Sequence, residues 1–522
     1  MRYDFIVIGS GMGGMSAAAL LAKYGFRVLT LEAAHVPGGC SSSYVIKKDG
    51  RKFVFESGAT TIVGLDDHQP LSYLERELDM KFPVVELNPS MTVHISGKAV
   101  TRYKHRDQWI RECYDKFFAG TSVDVERVSA FWKLVFDLSD FVWKVSERNA
   151  AFPPESVSDV WELYKKNPIG DFPKLVYLFT SAFKVMCDYG LDASDDFRRF
   201  CDEQLMITAQ ASCEKVPMLY AAPCLAYTSS SNYYAYGGMI SMMNALVEKY
   251  QSLGGEIAYR ARVTHITQLR DKTYQVNTES GNTFEARNLI SNATIWNMAE
   301  MTDGKLQCHF QKLSKKFPFG WGAFTMSLAV ENTLPDDLSL HHQLILDGKV
   351  PFCNSDSIFV SLSMPDDRER QPDGTRLLAV STHTKPDVWF TPEDYAQKKS
   401  VVENFILSKI EQTIPGFSRE KILFKNASTP KSWQEWVYRK QGRVGGIPNT
   451  LEKNVFELVG AATPFKNLYL VGDTVYPGQG MAGVCLSGRN AVYRALQHEL
   501  PPLKLSTPTR SLEKKLETTP EW

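Results

Sequence analysis

The chain has 522 residues, 43% hydrophobic and 23% charged, and its 59 basic and 59 acidic side chains cancel to a formal net charge of zero. That length exceeds one simple core and implies two domains, while the balanced charge leaves no global field to attract nucleic acid or an anionic membrane surface. Nine cysteines, an odd number with no C-x-x-C pair, signal neither a metal site nor a redox disulfide and imply reduced thiols in a cytoplasmic protein.

Residues 3–8 form an apolar run suited to a buried strand, which breaks at Gly9, Gly11 and Gly14 in G-x-G-x-x-G spacing. The Ala- and Leu-rich stretch 15–23 predicts a helix, and a second apolar run, 27–31, ends at Glu32. Together these make the strand-turn-helix-strand unit of a dinucleotide fingerprint. Gly9 would let the chain turn off the strand, Gly11 would leave room for a pyrophosphate against the backbone, and Gly14 would let the helix lie close on the sheet. The helix N-terminus favours the phosphates through its unpaired N–H groups and its dipole. Glu32 is placed to accept hydrogen bonds from both ribose hydroxyls and would repel a 2′-phosphate, which disfavours NADP. A first strand starting at residue 3 leaves no room for a leader segment. No run approaches the ~20 apolar residues needed to cross a bilayer, so any membrane contact is expected from one side.

Residues 37–43 add a second Gly- and Ser-rich loop directly after the acid. A plain NAD unit has no need of it, whereas the long, rigid FAD requires small residues such as Gly38 and Gly39 where its ribityl and ring portions cross the chain. Residues 53–61 read as a strand entering another small-residue turn, 71–78 as a helix, 84–97 as strand-turn-strand and 107–210 as mostly helical. The closely spaced aromatics there, among them Phe131, Trp132 and Phe179, suit a self-burying helical layer, an apolar tunnel or a lipid-facing surface alike. Gly237-Gly238-Met239 opens a helix at 240–251, followed by strands at 256–259, 262–267, 274–278 and 288–291. A small sheet of this kind caps the adenine side of a flavin, with the Val263 backbone able to meet the ring. Residues 296–454 read as a mixed sheet with helices, its strands at 323–330, 358–363 and 376–383 and a helix at 394–411. Tyr233, Tyr234, Tyr236 and Trp321 are candidates for a channel wall or for ordinary core.

A last buried strand, 467–471, ends at Gly472-Asp473, and a helix follows at 484–497. Gly478, Gly480 and Gly483 repeat the glycine spacing, but no strand ending in an acid comes after them, which argues against a second nucleotide site. The strand is expected to return to the N-terminal sheet. Asp473 would then hold a ribityl hydroxyl or a pyrophosphate-linked water, and the helix would aim its N-terminus at the flavin ring. The tail 501–522 is expected to be loose.

The opening unit with Glu32, the Gly237-Gly238-Met239 helix, the stretch TPKSWQEWVYRKQGRVGG at 429–446 and above all GDTVYPGQGMAGVCLSGRNA from Gly472 resemble the phytoene desaturase and carotenoid isomerase family of flavoproteins. The resemblance spans nearly the whole chain. It implies FAD as cofactor and desaturation, saturation or isomerisation of a long isoprenoid polyene at a membrane face. By the same resemblance the cofactor contacts fall at Gly9, Gly11, Gly14, Glu32, Gly38, Gly39, Val263, Gly472, Asp473, Met481 and Ala482. The implied fold is α/β: a Rossmann-type FAD-binding domain of amine-oxidase type in three parts (1–70, 233–295, 456–500), interleaved with a mixed α+β substrate domain in two (71–232, 296–455). Thr474-Val475-Tyr476 and Ala482 depart from the usual family pattern, which leaves the reaction type open. No catalytic acid or base is assigned. A flavin amine oxidase of related fold and a non-redox prenyl-lipid escort protein are the alternatives.

Overall fold

The computed structural model describes residues 2–148, 152–453 and 455–499; the tail expected to be loose, 501–522, lies outside them. The opening strand, Arg2–Ile8, runs parallel to Val28–Leu31 on one side and to Thr283–Ser291 on the other. Phe5, Ile6 and Val7 are wholly buried, because a central parallel strand is covered on both faces. Glu256–Ala258 extends the sheet beyond Val28–Leu31. On the far edge of Thr283–Ser291, its first half pairs antiparallel with Tyr274–Thr278, while its last three residues pair parallel with Leu468–Leu470. The sheet thus takes its strands from three separate stretches of chain.

The opening helix, Met12–Lys23, and the closing helix, Met481–Glu499, lie against each other on this sheet. Small residues allow the approach: a Cβ on Gly488 would stand 2.5 Å from the Gly13 carbonyl oxygen, and Ala17, Ala491 and Ala495 are buried at the contact. Both helices start three residues earlier than the sequence suggests. Gly13, Gly14 and Gly483 adopt helical geometry within packed turns, where tertiary contact outweighs their low helix propensity.

A second sheet holds, in order, Ile422–Ser428, Gly322–Glu331, Thr375–Thr384, Ser357–Leu362, His341–Ile345, Met91–Ile95 and Lys98–Arg102. It is antiparallel except between His341–Ile345 and Met91–Ile95. The helix Tyr395–Thr413 covers one face, burying Phe324, Leu328, Val360 and Ile406. A helical layer built from Val125–Arg148, Asp195–Thr208 and Met218–Ala226 covers the other. Phe117, Phe118, Phe131 and Trp132 form its core. The buried Arg102 guanidinium lies 4.0 Å above the Trp109 ring there and gives its Nη2 proton to the Leu225 carbonyl, and burial pushes it down to about 10.

A buried polar seam lies where the 363–374 connection of the second sheet meets the strands Arg51–Glu56 and Asn232–Ala235. Arg370 pairs with Glu56 at 3.1 Å and donates to Tyr234, whose hydroxyl donates to Asp367 at 2.7 Å. The seam also holds a small cavity lined by Glu56, Thr60, Tyr234, His341, Ser361 and Arg370. Ser361 Oγ donates to Thr60 and lies 2.9 Å from His341 Nδ1, and burial takes this imidazole down to about 4, so it stays neutral.

Glu203 ties the helical layer to the second sheet by accepting from Ser357 Oγ at 2.5 Å. Burial raises its carboxyl from 4.5 to about 7, with the Ser357 hydroxyl opposing. The folded chain therefore keeps a proton there that the unfolded chain releases, and stability falls as pH rises from 4.5 to 7. Unfolding in urea at the two ends of that window should show this loss, worth about 3 kcal/mol, in the native chain but not in Glu203→Gln. Parallel pH profiles of the two would refute it.

Candidate functional site

The opening turn is closed by contacts that only small residues permit. Gly9 takes a left-handed φ of 90°, and a Cβ on Gly14 would stand 2.1 Å from the Gly9 carbonyl oxygen. Gly11 pairs with Gly38 as an isolated parallel bridge, and the Gly38 N–H donates to the Ser10 carbonyl. The second glycine loop is thereby fastened to the first, with Gly39 alongside. Glu32 ends its strand facing this turn: Oε2 accepts from the Ser10 N–H at 2.7 Å and hydroxyl at 2.6 Å, and Oε1 from the Ala34 N–H. The Ala261 N–H donates to the Glu32 carbonyl, which brings the start of the strand Val263–Gln268 against the same acid.

The closing strand delivers Gly472 to the same crevice. Its N–H donates to Ser487 Oγ at 2.9 Å, and Val471 donates to the Ser291 carbonyl. Between the two glycine turns lies the side chain of Asn292, the residue that ends Thr283–Ser291. A Cβ on Gly11 would come within 2.6 Å of its Nδ2, and a Cβ on Gly472 within 2.6 Å of its Oδ1. In the sequence Asn292 only marks the end of an apolar strand. The available signal was its type: a polar residue at the carboxyl end of a parallel strand, where the strand order switches and α/β folds bind their ligands. Asp473 follows, its carboxylate accepting from Arg439 Nη2 at 2.6 Å. Met481 and Ala482 are buried in the first turn of the closing helix, with Gly64 packed on Ala482.

The structure thus gathers Gly9, Gly11, Gly14, Glu32, Gly38 and Gly39 at the opening turn and sets Gly472 and Asp473 beyond Asn292, leaving a crevice between the turns. Val263 starts a strand beside Glu32, and Met481 and Ala482 start the helix after Asp473. The crevice suits a dinucleotide-like cofactor. Its floor is glycine, the opening helix carries no acid in its first turn, and its N-terminus has no side-chain cap to compete for an anion.

Beyond the closing motif lies a different environment. Tyr220 donates its hydroxyl to the Pro477 carbonyl at 2.6 Å and starts a row with Cys224 and Tyr227, spaced along one face of the helix Met218–Ala226 and its extension. These three are surrounded by protein yet keep accessible surface, as residues lining an internal hollow do. His383 stands edge-on to Trp321, whose Nε1 donates to the Gln210 carbonyl, and the Gln210 amide in turn donates to Gln479 of the closing motif. Burial pushes Cys224 and Tyr227 up to about 12 and His383 down to about 4, so these side chains remain uncharged. Of the four wall candidates, Trp321 is the one joined to the closing motif, through Gln210. Tyr234 lies in the polar seam, Tyr233 is directed to Asp66 and Tyr236 to Asp366.

The profile of the flavin containing amine oxidoreductases matches residues 12–496. The chain belongs to that family. This flavin oxidoreductase is 30% identical to the chloroplastic prolycopene isomerase of Daucus carota, over 94% of this chain and 80% of that one. It is 24% identical to the 4,4'-diapolycopene oxygenase of a Methylomonas species, over 93% and 96%. A putrescine oxidase structure with bound putrescine superposes with a TM-score of 0.60 at 15% identity, over 96% and 99% of the two chains, which speaks to the fold. The fold is the FAD-binding amine-oxidase type, and the cofactor is FAD.

Gly11→Leu should leave a protein that loses its flavin on desalting, because the side chain would fill the crevice beside Asn292. Glu32→Ala should weaken FAD binding to the apo-protein by about 1–3 kcal/mol, the range for hydrogen bonds to a charged acceptor, as read by fluorescence titration. Wild-type retention in the first variant, or an unchanged affinity in the second, would move the cofactor elsewhere.

Proposed function

We propose that the protein uses FAD to desaturate, saturate or isomerise C=C bonds of a long apolar isoprenoid polyene. The reading is carried by side chains that protein encloses yet that keep accessible surface: Tyr220, bonded to the Pro477 turn, Cys224 and Tyr227 on the same helix face, and His383 beside Trp321. A hollow among them would take the substrate. Its walls are aromatic and uncharged, which suits a hydrocarbon chain. The names of the carotenoid-modifying relatives point the same way.

In this reading Glu32 and Val263 hold the ribose and adenine end of the cofactor. Gly9, Gly11, Gly14, Gly38 and Gly39 give the diphosphate access to backbone N–H groups. Gly472, Asp473, Met481 and Ala482 bring the closing helix to the ring. FAD, when bound, supplies the capacity to exchange hydride or electrons with a double bond. The hollow holds the polyene in register and keeps water out, and the buried imidazole of His383 stays neutral beside it. Expression in cells making different carotenoid precursors, with pigments separated by chromatography, tests the reading. A changed double-bond pattern or geometry in one precursor is expected, and turnover of amines with no effect on any polyene would replace it with the amine-oxidase alternative.

A membrane-facing surface supports the same substrate class. No helix among the described residues is long and apolar enough to cross a bilayer. However, the helix Val157–Lys166 and the turns after it expose Val157 (88%), Ile169 (72%) and Phe179 (70%), while Trp161 stacks on Tyr164 under Lys165. Aliphatic and aromatic groups edged with lysine suit the headgroup boundary of a bilayer. Asp159 anchors this helix to Arg494 of the closing helix, and Phe152 packs on Tyr476, so the strip adjoins the closing motif. Replacing Trp161, Ile169 and Phe179 together by Ser should cut flotation with lipid vesicles by roughly tenfold or more without loss of flavin. Undiminished flotation would rule out this face.

A further inference from the structure

The segment 438–446 lies across the crevice, and nothing in the sequence assigns it a role toward the cofactor. Tyr438, Gln441 and Gly442 all take left-handed φ values, so the chain here is tightly folded on itself. It is pinned at both ends of the crevice. Toward the adenine side, Asn297 Nδ2 donates to the Tyr438 carbonyl at 2.8 Å, Asn297 Oδ1 accepts from the Lys440 N–H, and the Arg262 guanidinium lies 4.5 Å over the Tyr438 ring. Toward the ring side, a Cβ on Gly446 would stand 1.8 Å from the Asp473 carbonyl oxygen, so the two backbones are in contact.

Arg439 sits between these two anchors. Its Nε donates to the Arg443 carbonyl at 2.5 Å and its Nη2 to Asp473 Oδ2 at 2.6 Å, while Nη1 has no hydrogen-bond partner among the described residues. Protein surrounds the guanidinium, yet 15% of the side chain stays accessible, and its charge is close enough to act on the Cys40 thiol immediately after Gly39. Burial alone would push this guanidinium down, and the Asp473 carboxylate more than offsets it. Acting on Cys40 on one side and on Asp473 on the other, the guanidinium sits between the Gly38-Gly39 loop and Gly472-Asp473. Two carboxylates, Glu32 and Asp473, already line that crevice. A diphosphate adds two negative charges, against about half a positive charge from the helix N-terminus. A planar guanidinium can hold a carboxylate along one edge and a phosphate oxygen along the other, which a lysine cannot do.

We propose that Arg439 is a cofactor-binding residue, donating to the FAD diphosphate while remaining bonded to Asp473, and so fastening segment 438–446 over the cofactor. The inference rests on the FAD site described above. The test is titration of the full-length apo-protein with FAD, with ADP as a probe carrying the adenosine and diphosphate without the flavin, and with riboflavin as a probe lacking the diphosphate. Arg439→Gln should weaken FAD and ADP ten- to a hundredfold, leave riboflavin unchanged and make the salt dependence of FAD binding shallower. Arg439→Lys should fall in between and guards against a folding defect in the first variant. Wild-type affinity for FAD and ADP in Arg439→Gln, beside a Gly11→Leu control that has lost FAD, overturns the proposal and leaves the FAD site standing. Recovery of full FAD affinity in Arg439→Gln/Asp473→Asn would reduce Arg439 to a counter-charge for Asp473 and also overturns it. A native chain that binds no FAD would take down both readings.

Discussion

The crossing at Asn292 is the constraint on which the rest of the molecule depends. Three parallel strands, Arg2–Ile8, Thr283–Ser291 and Leu468–Leu470, end side by side there. The amide of Asn292 fills the gap between the glycine turn that leaves the first strand and the one that leaves the last. Any larger residue at Gly11 or Gly472 would compete with it for the same volume. The crevice is therefore the space left when three distant stretches of chain agree on one register, and it belongs to no single motif.

Charge is distributed around that crossing with a clear division. The charged groups of the crevice and of the polar seam are each matched: Glu32 by N–H and O–H donors, Asp473 by Arg439, Glu56 by Arg370. The hollow beyond Pro477 has polar atoms too, yet burial holds its tyrosine, cysteine and histidine side chains neutral. A buried ion needs a partner to offset its desolvation, and a hydrocarbon cannot be one. The separation of a charged slot from a neutral tunnel thus follows from what each has to solvate.

Local signals were the legible ones. The opening unit could be read because its strand, glycines, helix and acid lie within thirty-two consecutive residues, and the closing motif because its glycines follow a buried strand. Asn292 and Arg439 escaped notice because their meaning comes from sheet order, which sets residues 292, 439 and 473 beside residues 11 and 40. Periodicity marked the aromatic helices as having an apolar face but could not say what the face meets: Phe131 and Trp132 are core, whereas Phe179 points outward. Tyr234 and Tyr236 look equivalent in sequence. Yet Tyr234 is buried on the strand Asn232–Ala235, and Tyr236 lies just past its end with its ring turned to Asp366 near the surface. The strand His341–Ile345 was missed because its polar start, His-His-Gln, is buried by hydrogen bonding within the seam and the helical layer, and hydrophobic patterning does not register that.

The late position of Leu468–Leu470 in the chain affects how the protein is made. A ribosome-bound polypeptide that still lacks residues 468–499 can pair the strands around Arg2–Ile8, but one wall of the crevice beside them has yet to be translated. Acquisition of the yellow pigment must then follow release of nearly the whole chain. A premature stop anywhere upstream would give a colourless product and not a partly active one.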